Sequence, residues 1–415
     1  MSIHRILPAI GPVILGFLCL AQAYSRAGIN VSYPLLLLWG CLWLVQGRRR
    51  WSKPVKPLPL EWLRGLAIFL AVYLLTALIG SEPLRSLTYL SINLYVFLAL
   101  PVTWLALSQW PNFIYFLPYC YGAGLILTGL ITFQQANYCL SCVRAMSYLG
   151  IIDLSGVLIQ ITPLMVGALA MAQSDHGRKK IAKTIFFLLA LAGAFVAMIN
   201  NCTRITLLGL PFLCAVMFLV NYKNFKNAIG LFFFLLALLG SIYIVKNGAI
   251  IDRFKDMTAP TSLSLNNTER FNYWEHGYEV FKEHPIFGVG PAAKPNIPVE
   301  KRVRPSKSAF QHAHNVFLTI MAEMGLIGLV AFLYFITRPV KILWPYRRSP
   351  DQLTFFWTWS AFMVICHLFL NGITDYVFGN KMMMFLHFSI VGAALWVAEG
   401  RQDPKLEASP AALKP

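Results

Sequence analysis

Gln311-His312-Ala313-His314-Asn315 closes the one long polar stretch of this chain and opens an apolar run, 313–336. A helix rises about 1.5 Å per residue through about 30 Å of hydrocarbon, so about 20 mostly apolar residues cross a bilayer. The run that begins at Ala313 meets that length. Two imidazoles therefore stand where a water-facing segment enters a membrane helix. A proton-transfer group at that depth suits a substrate that is part lipid and part water-soluble.

Outward from this point the same pattern repeats. Apolar runs fall at 6–23, 29–46, 62–80, 87–107, 112–134, 152–173, 181–200, 204–221, 228–246, 353–371 and 381–399. Apolar residues make up 57% of the chain and charged residues 13%, where a soluble domain carries about 25% charge. The mean hydropathy is +0.61. Backbone polar groups in lipid must pair internally, so a bundle of helices is the class that fits. The reading is an all-α integral membrane protein of about 12 transmembrane helices. Residues 1–246 hold helices 1–9, residues 247–312 an outer loop segment, residues 313–399 helices 10–12, and residues 400–415 a polar cytoplasmic tail. The first run lacks a small-residue cleavage site before a soluble body and is expected to stay as a span.

Charge sets the orientation. With both ends cytoplasmic, the inner joints hold Arg48, Arg49, Arg50, Lys53 and Lys56, then Arg178, Lys179, Lys180 and Lys183, then Lys223 and Lys226, and finally Arg338, Lys341, Arg347 and Arg348. The short outer joints hold isolated cations: Arg26, Arg85, Arg144, Arg204 and Lys381. This is a positive-inside pattern, and it accounts for the net charge of +18. Nucleic acid is not an expected partner, because no basic soluble domain is present. Membrane lipid is. Of eight cysteines, Cys139 and Cys142 fall in an outer joint, where an oxidising compartment permits a local disulfide. Two free thiols are the alternative.

The outer segment 247–312 reads as ordered. Asn267-Thr268-Glu269 looks like a helix start, and Phe271, Trp274, Tyr278 and Phe281 then recur at helical spacing to about residue 283. Such an aromatic stripe suits a helix lying at the membrane interface or capping the bundle. His284-Pro285 ends it, and Phe287-Gly288-Val289-Gly290-Pro291 makes a turn. Residues 294–308 carry a basic cluster with three prolines.

His314 is the first candidate for chemistry. Placed in the first turn of a helix, it would feel the positive end of the macrodipole, which disfavours an imidazolium, and a neutral imidazole is what a general base requires. His312 and Asn315 are adjacent polar partners, and Asp375 in the last outer joint could orient an imidazole or be an ordinary loop acid. Arg204 ends an outer joint, where an arginine either snorkels or captures an anion with its planar fork. Arg270 sits in the first turn of the interfacial helix, a favourable place for phosphate, or pairs with Trp274 four residues on. Carboxylates are scarce, with no Asp-x-Asp pair, so neither Mg²⁺ nor Mn²⁺ is expected, and no cofactor is. Gly325 and Gly328 follow on the His314 helix, and small residues three apart permit close helix contact.

Together these residues resemble the O-antigen ligase family, within a wider group of O-antigen ligases, polymerases and related oligosaccharyltransferases. The family pattern is a His with a small polar residue, nine residues, then a Gly-x-x-Gly-like element. Here that is His314-Asn315, nine residues, and Gly325-Leu326-Ile327-Gly328. Arg204 with Leu207, and Glu269-Arg270 with Trp274 before Pro285-x-x-Gly288-x-Gly290, match the group's other features. The resemblance implies a GT-C-like membrane glycosyltransferase. It would transfer a finished O-antigen polysaccharide from undecaprenyl diphosphate to a sugar hydroxyl of lipid A-core, on the periplasmic face of the bacterial inner membrane. Neither nucleotide nor metal would be needed. His314 would be the catalytic base and Arg204 and Arg270 the diphosphate ligands, with His312, Asn315 and Asp375 supporting. The rivals are an O-antigen polymerase, a protein O-oligosaccharyltransferase and a lipid-glycan transporter. A transporter places ionisable groups along its spans, whereas here the span middles are almost charge-free and the polar groups gather at one face.

Overall fold

The computed structural model describes residues 3–47, 55, 57–138, 147–201, 203–221, 265–293 and 312–400. Among these no β-strand forms; one isolated bridge, Ser25 with Tyr148, is the only extended pairing there. The helices are α1 (Ile3–Gln22), α2 (Arg26–Leu42), α3 (Leu60–Ile79), α4 (Pro83–Asn93), α5 (Ala99–Gln109), α6 (Leu117–Tyr138), α7 (Ile151–Ala172), α8 (Gly177–Asn201) and α9 (Arg204–Val220). After these come α10 (Leu265–Glu283), α11 (Val316–Leu343), α12 (Gln352–Gly372) and α13 (Lys381–Gly400). Among the described residues nine helical stretches are long and apolar enough to cross a membrane. Two shorter apolar helices, Ala9–Gln22 and Gly209–Val220, coincide with the first and eighth runs. The run 228–246 lies outside the described residues, as do Cys139, Cys142 and the basic cluster of 294–308.

Apolarity on all sides marks a helix for the interior of a bundle. Accordingly 94% of the apolar stretch of α7 and 89% of that of α13 are buried, against 28% for α8 and 33% for α3. The last two are peripheral, with broad faces left for lipid. α3 lies along α11, where Phe69 stacks on Phe335 with ring centroids 5.7 Å apart. At one end of the bundle Glu61 meets Arg338 at 3.2 Å and Lys341 at 3.4 Å, Lys183 meets Asp175 at 2.7 Å, and the Gln352 amide donates to Ser174 Oγ at 2.5 Å. The opposite end holds the α1–α2, α3–α4, α6–α7, α8–α9 and α12–α13 joints, and all but α3–α4 are tied together around the start of α7. There Arg26 pairs with Asp153, Asn380 Nδ2 donates to Asp153 Oδ1 at 2.6 Å, and Asn201 Nδ2 donates to the Ile151 carbonyl at 3.0 Å. The described basic joints thus share one end, as the charge pattern requires.

The long helix α11 is broken. Gly325 has φ 66 and ψ −165, a region essentially closed to residues with a side chain. The break leaves backbone groups unpaired, and the turn after α10 takes them. Leu326 N–H donates to Pro285 O at 2.9 Å and Ile327 N–H to Ile286 O at 3.4 Å. In return Val289 N–H donates to Ala322 O at 3.0 Å and Gly290 N–H to Glu323 O at 2.8 Å. The α3–α4 joint holds the turn from its other side, through Ser81 N–H to Val289 O at 2.8 Å and Ser86 Oγ to Pro291 O at 2.6 Å. Gly325 is therefore not a contact residue on a continuous helix, as its spacing with Gly328 suggested, but the point where the helix opens to admit another segment.

The helix over 265–283 forms, and the face it buries is Tyr273, His276, Gly277 and Val280, against Ala313, Leu318 and Ala322. Phe271 and Tyr278 of the aromatic stripe are more than half exposed. The small side chains of Ala313 and Ala322 admit this face; of the stripe, Trp274 packs against the same cluster while Phe271 and Tyr278 point outward. The run that opens at Ala313 also becomes helical only at Val316, capped by Asn315, whose side chain accepts the Leu318 N–H at 3.0 Å.

A Cβ at Gly325 would sit 2.1 Å from Ile286 O, and one at Gly288 (φ 69) would sit 2.3 Å from the Glu323 carbonyl carbon. Gly325→Ala and Gly288→Ala are each expected to lower the detergent melting temperature, with backbone strain of about 1–3 kcal/mol added to the clash. Gly177→Ala, where φ is 59 and nothing lies within 4 Å, should show the strain alone and the smaller loss.

Candidate active site

His314 lies before α11 rather than in its first turn, so the macrodipole argument does not apply to it as a first-turn residue. Its φ is 49, in the left-handed region, and Asn315 returns to extended backbone at φ −155. That reversal turns the imidazole off the helix line and toward the α12–α13 joint. Ala313 anchors the approach: it is fully buried, and its N–H donates to Thr319 Oγ1 at 3.0 Å. A left-handed residue with a Cβ costs about 1–3 kcal/mol, and such outliers persist only where neighbours over-determine them.

Across from His314 stands Asp375. His314 Nδ1 is 3.3 Å from Asp375 Oδ1, and the side chains are 29% and 21% exposed. Asp375 Oδ1 also accepts its neighbour's Tyr376 N–H at 2.8 Å, and the Asp375 N–H donates to Asn371 O at 2.9 Å. Burial by itself would raise the Asp375 carboxyl. The hydrogen bonds from His314 and the Tyr376 N–H, with the charges of His314 and Arg270, outweigh burial and hold it below the ordinary carboxylate range. An ionised Asp375 can only accept, so a neutral His314 ring places its proton on Nδ1 and keeps a lone pair on Nε2. That is the geometry of an oriented general base.

The surrounding residues pin the two joints together. Asn315 Nδ2 donates to Ile373 O at 3.1 Å. The His312 ring lies 4.3 Å from that of His314 and stacks on Tyr376 at 5.4 Å, and Tyr273 of α10 comes within 5.8 Å of His314. Farther along the α12–α13 joint, Asn380 caps α13 by accepting from Met382 and Met383 N–H at 3.1 and 3.2 Å, while holding Asp153. Arg26 covers the other oxygen of Asp153.

Of the residues singled out from the sequence, His314, His312, Asn315 and Asp375 come together, and the exposed Arg270 lies close enough for its charge to act on Asp375. Arg204 is the first residue of α9, at the same end of the bundle; its side chain lies outside the described residues. Three contributors were not singled out from the sequence: Tyr376, Asp153 and Glu323, although an acid inside the apolar run 313–336 is a signal that marks Glu323. Glu323 is buried beside the α11 break, where the Ala292 N–H bonds its carboxyl. A second histidine pair, His367 and His387, is 1% and 2% exposed in α12 and α13. With Asn371 Nδ2 3.1 Å from His367 Nε2, it is enclosed where no hydroxyl substrate reaches.

A cavity of about 400 Å³ lies at the far end beside Arg348, Asn221 and Gln352; it contains no acid–base pair. A smaller one of about 50 Å³ lies under Tyr376, lined by Phe69, Tyr89, Asn93, Lys381 and Phe388. Among the described residues no three His, Cys, Asp or Glu side chains gather as metal ligands.

Residues 186–333 match a family model described as O-Antigen ligase. The chain thus carries an O-antigen ligase family domain, as its motifs indicated. The matched segment contains Arg204, Arg270, His314 and the Gly325 break, and stops short of Asp375. It supports a membrane enzyme of the O-antigen ligase or polymerase type, acting on lipid-linked polysaccharide. A comparison with curated proteins finds no match to this chain.

Because the folded carboxyl of Asp375 is depressed, its contribution to stability is complete above the unfolded value of about 3.9. It is lost as pH falls through the lower folded value. Asp375→Asn should therefore melt below the parent near neutral pH, and the margin should close on acidification below about pH 4. Thermal melts of both proteins in detergent across that range check this.

Proposed function

We propose that this protein is an O-antigen ligase. It performs a metal-independent, inverting transfer of O-antigen polysaccharide from undecaprenyl diphosphate to a sugar hydroxyl of lipid A-core, at the periplasmic face of the bacterial inner membrane. In this reading the spans number about 12, arranged as in GT-C enzymes, and segment 247–312 is the periplasmic loop. The observation that carries the reading is the His314–Asp375 pair, with Nδ1 engaged at 3.3 Å and Nε2 left to accept a proton. The pair stands at the bundle end, where its base belongs to the family-matched segment.

A sugar hydroxyl is a poor nucleophile, and a polyprenyl diphosphate is already a good leaving group. The chemistry thus needs a base on one side and positive charge on the other. His314 Nε2 takes the hydroxyl proton as the oxygen attacks the anomeric carbon. The bond from that carbon to the diphosphate oxygen breaks, and direct displacement inverts the centre. Asp375 orients the ring and stabilises the imidazolium. Arg204 and Arg270 hold the diphosphate, whose charge grows as it leaves. General-base help contributes about 10²–10⁴-fold; positioning and electrostatics supply the rest. His312 and Asn315 support the ring and the helix start.

The decisive experiment mixes purified protein, undecaprenyl-diphosphate glycan and lipid A-core in detergent with a chelator, and resolves products on a gel. Glycan joined to lipid A-core is expected. Glycan joined to a second lipid-linked glycan would instead make the chain a polymerase, and movement of glycan that needs a sealed vesicle would make it a transporter. His314→Ala should abolish transfer while the protein still inserts and melts cooperatively.

Arg204→Ala and Arg270→Ala should each weaken donor binding on the order of tenfold or more, the loss of a charge-assisted hydrogen bond of about 1.5–3 kcal/mol, and leave acceptor binding near parent. Equal loss for both substrates, read from their separate KM values, would remove the diphosphate role.

A further inference from the structure

Two short joints make the site. Residues 312–315 lead into α11, and residues 373–380 link α12 to α13. The His314 backbone N–H donates to Nδ1 of His312, two residues back, at 3.2 Å. Asparagine and aspartate side chains tie turns in this way, accepting an N–H two residues on. Here an imidazole nitrogen does it. The bond also sets the tautomer, because an accepting Nδ1 leaves the proton of a neutral His312 on Nε2.

The same His312 ring stacks on Tyr376, with centroids 5.4 Å apart and planes 30° apart. Tyr376 directly follows Asp375 and gives its N–H to Asp375 Oδ1 at 2.8 Å. Each member of the His314–Asp375 pair therefore has a neighbour in sequence, and the two neighbours grip each other. His314 needs the grip. At φ 49 its backbone is strained, and relaxation to negative φ would swing the ring away from Asp375.

We propose that His312 and Tyr376 are positioning residues for the transfer: His312 holds His314 in its left-handed conformation by accepting its N–H, and the stack on Tyr376 sets the separation of His314 from Asp375. The proposal rests on His314 being the base. His312 then serves as an acceptor of the right reach and flatness, not as a second base. An asparagine, which can accept the same N–H, should replace it; a phenylalanine, which keeps the ring and loses the nitrogen, should not.

Two measurements on the full chain in detergent test this. The first is hydrogen–deuterium exchange by mass spectrometry on the peptide spanning 312–316. His312→Phe should speed exchange at the His314 amide, and His312→Asn should match parent. The second is turnover with undecaprenyl-diphosphate glycan and lipid A-core. His312→Phe and Tyr376→Leu should each lower kcat on the order of 10- to 100-fold, the usual effect of slight misplacement. Both KM values should stay within about twofold, because only the transition state loses an interaction. His312→Asn and Tyr376→Phe should keep most of the parental kcat. The pair His312→Phe with Tyr376→Leu should be no worse than the poorer single change, because the two act as one unit.

Unchanged exchange in His312→Phe overturns the proposal, whatever the activity. So does a His312→Asn protein as inactive as His312→Phe, or a loss that appears in KM alone. If the parent joins no donor to acceptor, the proposed function fails, and the exchange measurement alone decides whether His312 holds His314.

Discussion

A backbone group buried away from water must find a partner, and the buried break at Gly325 is where that demand shapes the molecule. Opening α11 there leaves two carbonyls, of Ala322 and Glu323, and two N–H groups, of Leu326 and Ile327, without helical partners. The turn between Pro285 and Gly290 answers all four. A hydrogen bond in ordinary surroundings nets about 1 kcal/mol; where the alternative is an unpaired group away from water, the penalty avoided is larger. Because the turn follows α10 without a gap, the helix that carries Arg270 is fastened to the helix that His314 introduces. An arginine and a histidine remote in sequence owe their common neighbourhood to main-chain bonding.

The site itself sits in joints, not on helix faces. Helices supply rigid posts: Asn315 caps α11 and Asn380 caps α13. Between the posts, short runs of chain place His314 and Asp375 face to face. Electrostatics then fixes roles. Asp375 stays ionised because the groups around it favour the anion more than burial opposes it. In the proposed reaction the carboxylate would orient and the imidazole would move the proton, the same division of labour as in a Ser-His-Asp triad. Asp153 does comparable work at the far side of the joint, held between Arg26 and Asn380.

The helical bundle was legible because apolar length is a one-dimensional property, and residues 3–47 or 352–400 could be read from hydropathy alone. His314 and Asp375 were legible as polar residues at span ends, though nothing in the linear order joins positions 61 apart. What escaped reading was conformation. A Gly-x-x-Gly spacing looks the same whether the helix is packed or broken, and only the φ of Gly325 tells them apart. Likewise the aromatic stripe of α10 did not show which side chains meet the bundle: Tyr273, His276 and Val280 do, where the neighbour offers Ala313 and Ala322. Tyr376 was passed over since stacking on His312 is a property of two joints at once.

The junction at Gly325 also limits how such chains can be recombined. Its halves fit as a key fits its own lock: Gly288 presses on the Glu323 carbonyl and Gly325 on that of Ile286. A chimera that imports the outer segment from a relative must bring along the opening stretch of the following span, through at least Gly328, or meet a mismatched seam. The natural unit of exchange is therefore the segment together with the apolar helix it enters, and its boundary lies within that helix rather than at its start.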